Sequence, residues 1–366
     1  MAFIHTIRPP NKSEGKPITA YFKGSLLLTG ANGAVGRSII SQFVSKPEYA
    51  ESYHCIYTVR DISSAQALRS FLRGTIHSYE VLLLDLARLD DVRGFAEQLS
   101  TRISKQQVPR LRALVLNAAF LELQDQTWTE DGFDTSFASS YLGHWLLTLM
   151  LLRSMDYHMG RVVVVGSSVH DTQSLHNVVG GQYRGQKWKT IFHDSTDPLA
   201  RGTWSSRRDD PSFRSGYRRY GAAKLCQVMM IPELQRRLDT DPILQNISVL
   251  GIDPGATPSG ITRRGGWVVH IFIGKFIMFV LALIFSWFWP NAGVRTNSKS
   301  AIDILAATFE CNETLGERPK GLYLDGNQLV EMGAEAKDRK KAGILWKDTL
   351  RYTALQSHET SLTNWE

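Results

Sequence analysis

Tyr220 and Lys224 stand four apart in the segment YGAAK, and in a helix that spacing carries both side chains on one face. A phenol titrates at about 10 in water, and a neighbouring ammonium favours the phenolate, so such a pair suits proton transfer at working pH. Y-x-x-x-K alone also describes many surface pairs. The surroundings have to decide between the two.

A second candidate is TGANGAVG, with Gly30, Gly33 and Gly36, directly after the apolar run SLLL and before a helical pattern. Glycines there let the backbone turn tightly and approach a pyrophosphate, while the free N–H groups of the next helix face its charge. Further on, a second apolar run ends in TVRD. An NAD site usually places an acid there for the ribose 2′-hydroxyl. Arg60 instead offers paired charge-assisted hydrogen bonds to a 2′-phosphate, which favours NADP(H), although Asp61 stands one step away.

The elements that would position these residues are legible as alternation. From Ser25 onward, short apolar runs (SLLLTG, CIYTVR, YEVLLLDL, ALVLNAA, RVVVVGSS, ISVLGIDPG) alternate with amphipathic stretches such as AVGRSIISQFV and YGAAKLCQVMMIPELQRRL. Runs this apolar suit strands buried on both faces. The expected fold is α/β: a single doubly wound, Rossmann-type parallel sheet with helices on both faces. Residues 1–23 read as an N-terminal arm, 24–350 as the domain and 351–366 as a tail.

With 43% hydrophobic and 21% charged residues the chain has the material of a globular core, which excludes a disordered protein. The net charge of +7 is compatible with an anionic ligand, a membrane surface or nucleic acid. Three scattered cysteines, with no C-x-x-C pair, point to a reducing compartment and give no metal site. No signal peptide supports secretion, so the expected location is intracellular, cytosolic or attached to an intracellular membrane.

The ordered motifs TGANGAVG (29–36), LLLDL around Asp85, LNAA around Asn117, LGHWLLT from Leu142, RVVVVGSS ending at Ser168, YGAAK (220–224) and DPG (253–255) together resemble the short-chain dehydrogenase/reductase family. Within it, the retinol-dehydrogenase-like and fungal secondary-metabolite branches are most similar. The resemblance implies that Tyr220 exchanges a proton with the substrate oxygen as hydride moves to or from a nicotinamide. It also implies that Lys224 lowers the tyrosine pKa and holds the nicotinamide ribose, and that Ser167, or Ser168 beside it, hydrogen-bonds the substrate oxygen. The implied cofactor-binding set comprises Thr29, Gly30, Asn32, Gly33, Val35, Gly36, Arg60, Asp85, Leu86, Asn117, Tyr220, Lys224, Thr257 and Ser259. Two departures stand out. Ala34 replaces the family's usual second glycine, and Ser140 replaces the asparagine that holds a water linking the lysine to solvent.

Two segments break the alternation. Residues 169–219 form a long insertion rich in Gly, Ser, Asp, Arg and Trp, read as a solvated surface loop whose interspersed acids argue against nucleic-acid binding. Residues 267–290, WVVHIFIGKFIMFVLALIFSWFWP, read as an apolar lid, a membrane-associated segment or a core element. Either of the first two favours a lipophilic small-molecule substrate. The function expected is ketone–alcohol interconversion on such a molecule in terpenoid or polyketide biosynthesis. The alternative is a cofactor-binding isomerase, cyclase or membrane-associated scaffold on the same fold. Oligomeric state stays open, a dimer included.

Overall fold

The computed structural model describes residues 3–7, 19, 21–257, 291 and 293–366. The apolar block 267–290 and Ser259 lie outside these residues. The apolar runs become the strands β2 (Gly24–Leu28), β3 (Tyr53–Val59), β4 (Tyr79–Leu83), β5 (Leu111–Leu116), β6 (Arg161–Val165) and β7 (Ser248–Asp253). They pair in parallel, together with the short β8 (Tyr323–Asp325). With β1 (Phe3–Ile7) and β9 (Gln328–Leu329) at its edges, the sheet order is β1-β4-β3-β2-β5-β6-β7-β8-β9. From β2 the chain winds outward through β3 and β4, then returns to β5 and winds the other way. The strand order therefore reverses between β2 and β5, and a crevice opens past their carboxyl ends.

The helices α1 (Ala34–Val44), α2 (Ile62–Leu72) and α6 (Asn297–Phe309) bury their apolar stripes on one face of the sheet. On the other face lie α3 (Leu89–Ser104), α4 (Gly143–Leu151), α5 (Phe213–Asp239) and α7 (Arg339–Thr353). Every residue of α4 is buried, as expected of a segment that is apolar on all sides. Its Trp145 meets Trp346 of α7 edge to face at 5.0 Å.

Three parts differ from the sequence reading. The arm contributes β1 (Phe3–Ile7), an edge strand antiparallel to β4. The tail is docked: Leu355 and Leu362 are buried, Glu359 pairs with Arg93 at 2.7 Å, and Trp346 Nε1 donates to the Trp365 carbonyl at 2.6 Å. The insertion is a packed wall rather than a solvated loop. Tyr183, Ile191, Phe192, Leu199 and Trp204 are buried in it, and the Glu335 carboxylate accepts from the amides of Ile191 and Phe192 at 2.9 and 3.1 Å. Its last residues begin α5, where Arg218 and Arg219 are buried. Arg219 pairs with Asp134 at 3.1 Å. These two arginines bind the wall to the body and do not form a basic surface.

The segment after β7 leaves and returns at one place. Ala256 donates to the Gly293 carbonyl at 2.8 Å, and Arg295 N donates back to Ala256 at 2.9 Å. The buried Arg295 guanidinium donates to the carbonyls of Asp253 and Asn291, both at 3.0 Å, and to the Asp325 carboxylate.

Candidate active site

The turn after β2 has the shape a pyrophosphate needs. Gly30 adopts φ +66°, and a Cβ there would sit 2.8 Å from Ala118 Cα, so the turns after β2 and β5 touch at this glycine. A Cβ on Gly36 would lie 2.6 Å from the Gly30 carbonyl oxygen. Gly33 is different: it is the N-cap of α1 with φ −68°, an ordinary backbone for any residue. The shift from Gly33 to Ala34 therefore leaves the turn intact, with Ala34 as the first helical residue and Val35 half-buried behind it. No side chain caps α1, so its first amides remain free to face an anion.

Thr29 and Asn117 brace the turn. Asn117 Nδ2 donates to the Thr29 carbonyl at 2.9 Å, and the amides of Asn117 and Ala118 donate to Thr29 Oγ1 at 2.9 and 3.0 Å. Asp85, past β4, accepts from the Ala87 amide at 3.0 Å, while the Leu86 side chain is buried in the core. Thr257 is half-buried at the end of the described stretch after β7.

At the end of β3 the Asp61 carboxylate is engaged in capping. Asp61 is the N-cap of α2 and accepts from Ser63 Oγ at 2.7 Å and Ser64 N at 2.8 Å. Those bonds hold its carboxyl well below the usual range. Arg60 is exposed and pairs with Asp61 at 3.3 Å. Arg37, absent from the sequence reading, comes to the same side: it donates to Asn32 Oδ1 at 2.6 Å and lies 5.5 Å from the Phe71 ring centre. Its position directly after Gly36 was the available signal.

At the other end of the crevice, β6 and α5 bring Ser167, Tyr220 and Lys224 together. Lys224 Nζ donates to the Val165 carbonyl at 2.7 Å, which ties α5 to the end of β6 two residues before Ser167. Ser167 caps the following turn, accepting from Val169 N at 3.4 Å, and this leaves its O–H as a donor. Ser168 begins that turn, and its carbonyl accepts from Asn177 Nδ2 at 3.2 Å. Gly221 permits the packing, since a Cβ there would meet the Val169 carbonyl at 2.9 Å and Tyr183 Oη at 1.9 Å. Tyr220 is 8% exposed in an apolar cluster with Leu121, Leu123 and Val169. Lys224 Nζ lies 5.8 Å from the Tyr220 ring centre.

Electrostatics differ from expectation at the tyrosine. Burial, reinforced by Tyr217 and Asp253, holds the Tyr220 phenol above its ordinary value. Burial pushes Lys224 down to about 7, partly opposed by Asp253. Tyr220 is thus a phenol held in its protonated form among apolar side chains. Ser140 lies in the π-helical turn before α4, and its Oγ accepts from Phe120 N at 3.2 Å.

The chain is 41% identical over 366 residues to the short-chain dehydrogenase iccH of Talaromyces variabilis, covering 94% of this chain and 99% of that one. It is 28% identical to the polyprenol dehydrogenase of Mus musculus over 93% of this chain and 86% of the other. Among solved structures, the NADPH-bound carbonyl reductase from chicken fatty liver shares the fold, with a TM-score of 0.53 and 12% identity over 85% of this chain and 100% of its own. No family model matches the chain. A relative of that identity, aligned along nearly the full length of both chains, agrees with the sheet, the glycine turn and the Ser–Tyr–Lys grouping: the chain belongs to the short-chain dehydrogenase/reductase family and is an oxidoreductase.

Proposed function

We propose that this oxidoreductase uses NADP(H) to interconvert a ketone and a secondary alcohol on a lipophilic small molecule, in terpenoid or polyketide secondary metabolism. The carrying observation is Tyr220, a protonated phenol among Leu121, Leu123 and Val169 with the Lys224 amine on the same helical face. NADP(H), when bound, supplies or accepts the hydride. Ser167 donates a hydrogen bond to the substrate oxygen and keeps its proton, while Tyr220 delivers the one proton that oxygen takes up during reduction. Lys224 offsets the charge left on the phenol. Arg60 and Arg37 at the β3 side support a 2′-phosphate, and the chicken carbonyl reductase of the same fold is an NADPH complex. The apolar surroundings of Tyr220 support an apolar substrate, since such walls select size and shape.

Tyr220→Phe, assayed for NADPH oxidation with a panel of cyclic ketones, should lose about 10²–10⁴-fold in kcat. Unchanged turnover would remove this mechanism, whereas tight NADPH binding with no hydride transfer to any ketone would favour an isomerase or cyclase. Attachment to an intracellular membrane through 267–290 belongs to the same reading and lies outside the described residues. Among the described residues no helix is long and apolar enough to cross a membrane. Flotation with liposomes, with and without 267–290, tests the attachment.

A further inference from the structure

The imidazole of His170 joins two parts of the fold that the reaction described above does not connect. The residue is 5% exposed and ends the short turn that follows Ser167. Its Nδ1 lies 2.6 Å from the Ser167 carbonyl oxygen, and its Nε2 accepts from the Gly333 amide at 3.0 Å. The His170 amide also donates to the Ser167 carbonyl, at 3.2 Å. One edge of the ring thus holds the serine's peptide, and the other holds a segment beyond β9. Tyr323 of β8 stands against the ring edge to face at 5.3 Å. A Cβ on Gly333 would lie 2.9 Å from Asp171 Cβ and 3.3 Å from His170 Cδ2, so the glycine permits the approach.

The two partners fix the ring proton. A carbonyl oxygen only accepts, so Nδ1 must carry the hydrogen; a backbone N–H only donates, so Nε2 must be unprotonated. Both demands give the same neutral tautomer, and no donor faces a donor. Burial holds the ring below its ordinary pKa, opposed by the Ser167 carbonyl, Asp253 and Asp171, in agreement with a neutral imidazole. The far end of this strut is itself anchored. Gly333 caps the turn Ala334–Lys337. Within that turn Glu335 accepts from the Ile191 and Phe192 amides of the insertion wall and from Lys341 Nζ at 2.8 Å. One short stretch therefore takes hold of the wall on one side and of the Ser167 turn on the other.

The one hydrogen bond to Ser167 Oγ among the described residues is a long one, 3.4 Å from Val169 N. The aim of the hydroxyl consequently depends on the main chain of its turn. We propose that His170 is a positioning residue for Ser167: with Nδ1–H on the serine carbonyl and Nε2 on Gly333, it fixes the turn that aims the Ser167 hydroxyl and keeps it in register with the insertion wall. This rests on Ser167 meeting the substrate oxygen, as in the function proposed above.

The test uses the full chain and begins with a spectrum. Nitrogen NMR of wild-type protein labelled at histidine and glycine should show one imidazole whose unprotonated nitrogen couples across a hydrogen bond to a glycine amide. That ring should be protonated on Nδ1. The coupling itself assigns His170, so this arm needs no variant to fold. His170→Phe keeps a ring against Tyr323 and removes both nitrogens. With NADPH and 2-decalone as probe it should lose about tenfold in kcat, the scale of one hydrogen bond, with KM for decalone changed by less than about twofold. In a Ser167→Ala background the same substitution should cost less than about twofold, because a residue acting through Ser167 has nothing left to position. His170→Asn, whose amide nitrogen can donate to the Ser167 carbonyl, should recover most of kcat. A wild-type ring protonated on Nε2, or without the glycine coupling, would overturn the proposal. So would an unchanged kcat in His170→Phe, or an equal loss in both backgrounds, which would make His170 a support of the fold alone. Should the wild type oxidise no NADPH with any ketone, the functional reading fails and Ser167 loses its role with it, while a spectrum with Nδ1–H leaves the strut standing.

Discussion

At Tyr220 two influences oppose each other: the amine of Lys224 would favour phenolate, and burial favours phenol. Burial prevails in the described structure, with Asp253 adding to it. The same burial acts on Lys224, whose pKa of about 7 lies below its ordinary value. The amine costs stability while it is charged in the fold, and this cost is complete below about pH 7. Between pH 7 and the value of an unfolded lysine, the unfolded chain binds more protons, so stability rises with pH there. Denaturant unfolding of the apo protein should therefore show the wild type gaining on Lys224→Met from pH 6.5 to pH 9.5. A constant gap would place the lysine's titration elsewhere. Arg60 and Arg37 give a second test at this scale: substituting either with Ala should weaken NADPH at least about tenfold more than NADH. Equal losses would take that arginine out of the 2′-phosphate site. Arg60 was legible at a strand end, whereas Arg37 needed the fold to bring it beside Asn32 and Phe71.

Among the elements, the glycine turn separates pattern from necessity. Sequence spacing made Gly33 and Ala34 suspect, but backbone angles show Gly33 to be an ordinary helix cap. The structural demand falls on Gly36, packed against the Gly30 carbonyl. Gly36→Ala should destabilise the protein by about 1–3 kcal/mol and sharply weaken NADPH binding, while Gly33→Ala, whose Cβ would sit 3.3 Å from the Gly30 carbonyl oxygen, should cost clearly less on both counts. Thermal melts with and without NADPH check the contrast. The parallel strands were readable because each is mostly apolar and buried along its whole length. β1 was not, since an edge strand pairs on one side only and has little apolar signature. The insertion escaped reading for a related reason: Glu335, Asp134 and the α5 arginines hold it through contacts distant in sequence.

For the whole molecule, the carboxyl-terminal residues are part of the core rather than an appendage. α7 and the segment after it cover α4, itself buried on every side. Deleting residues 355–366 removes two buried leucines and strips Arg93 of its carboxylate partner. The loss should be at least about 3 kcal/mol from the leucines alone, measurable as a lower denaturation midpoint or as insoluble protein. The backbone around Arg295 has the opposite implication. Because Ala256 bonds Gly293 and one guanidinium grips the carbonyls of Asp253 and Asn291, the sheet does not depend on how many residues lie between. Loop closure grows only slowly costlier with length, so this position is an open socket. The length of chain between the two ends can change without redrawing the catalytic frame.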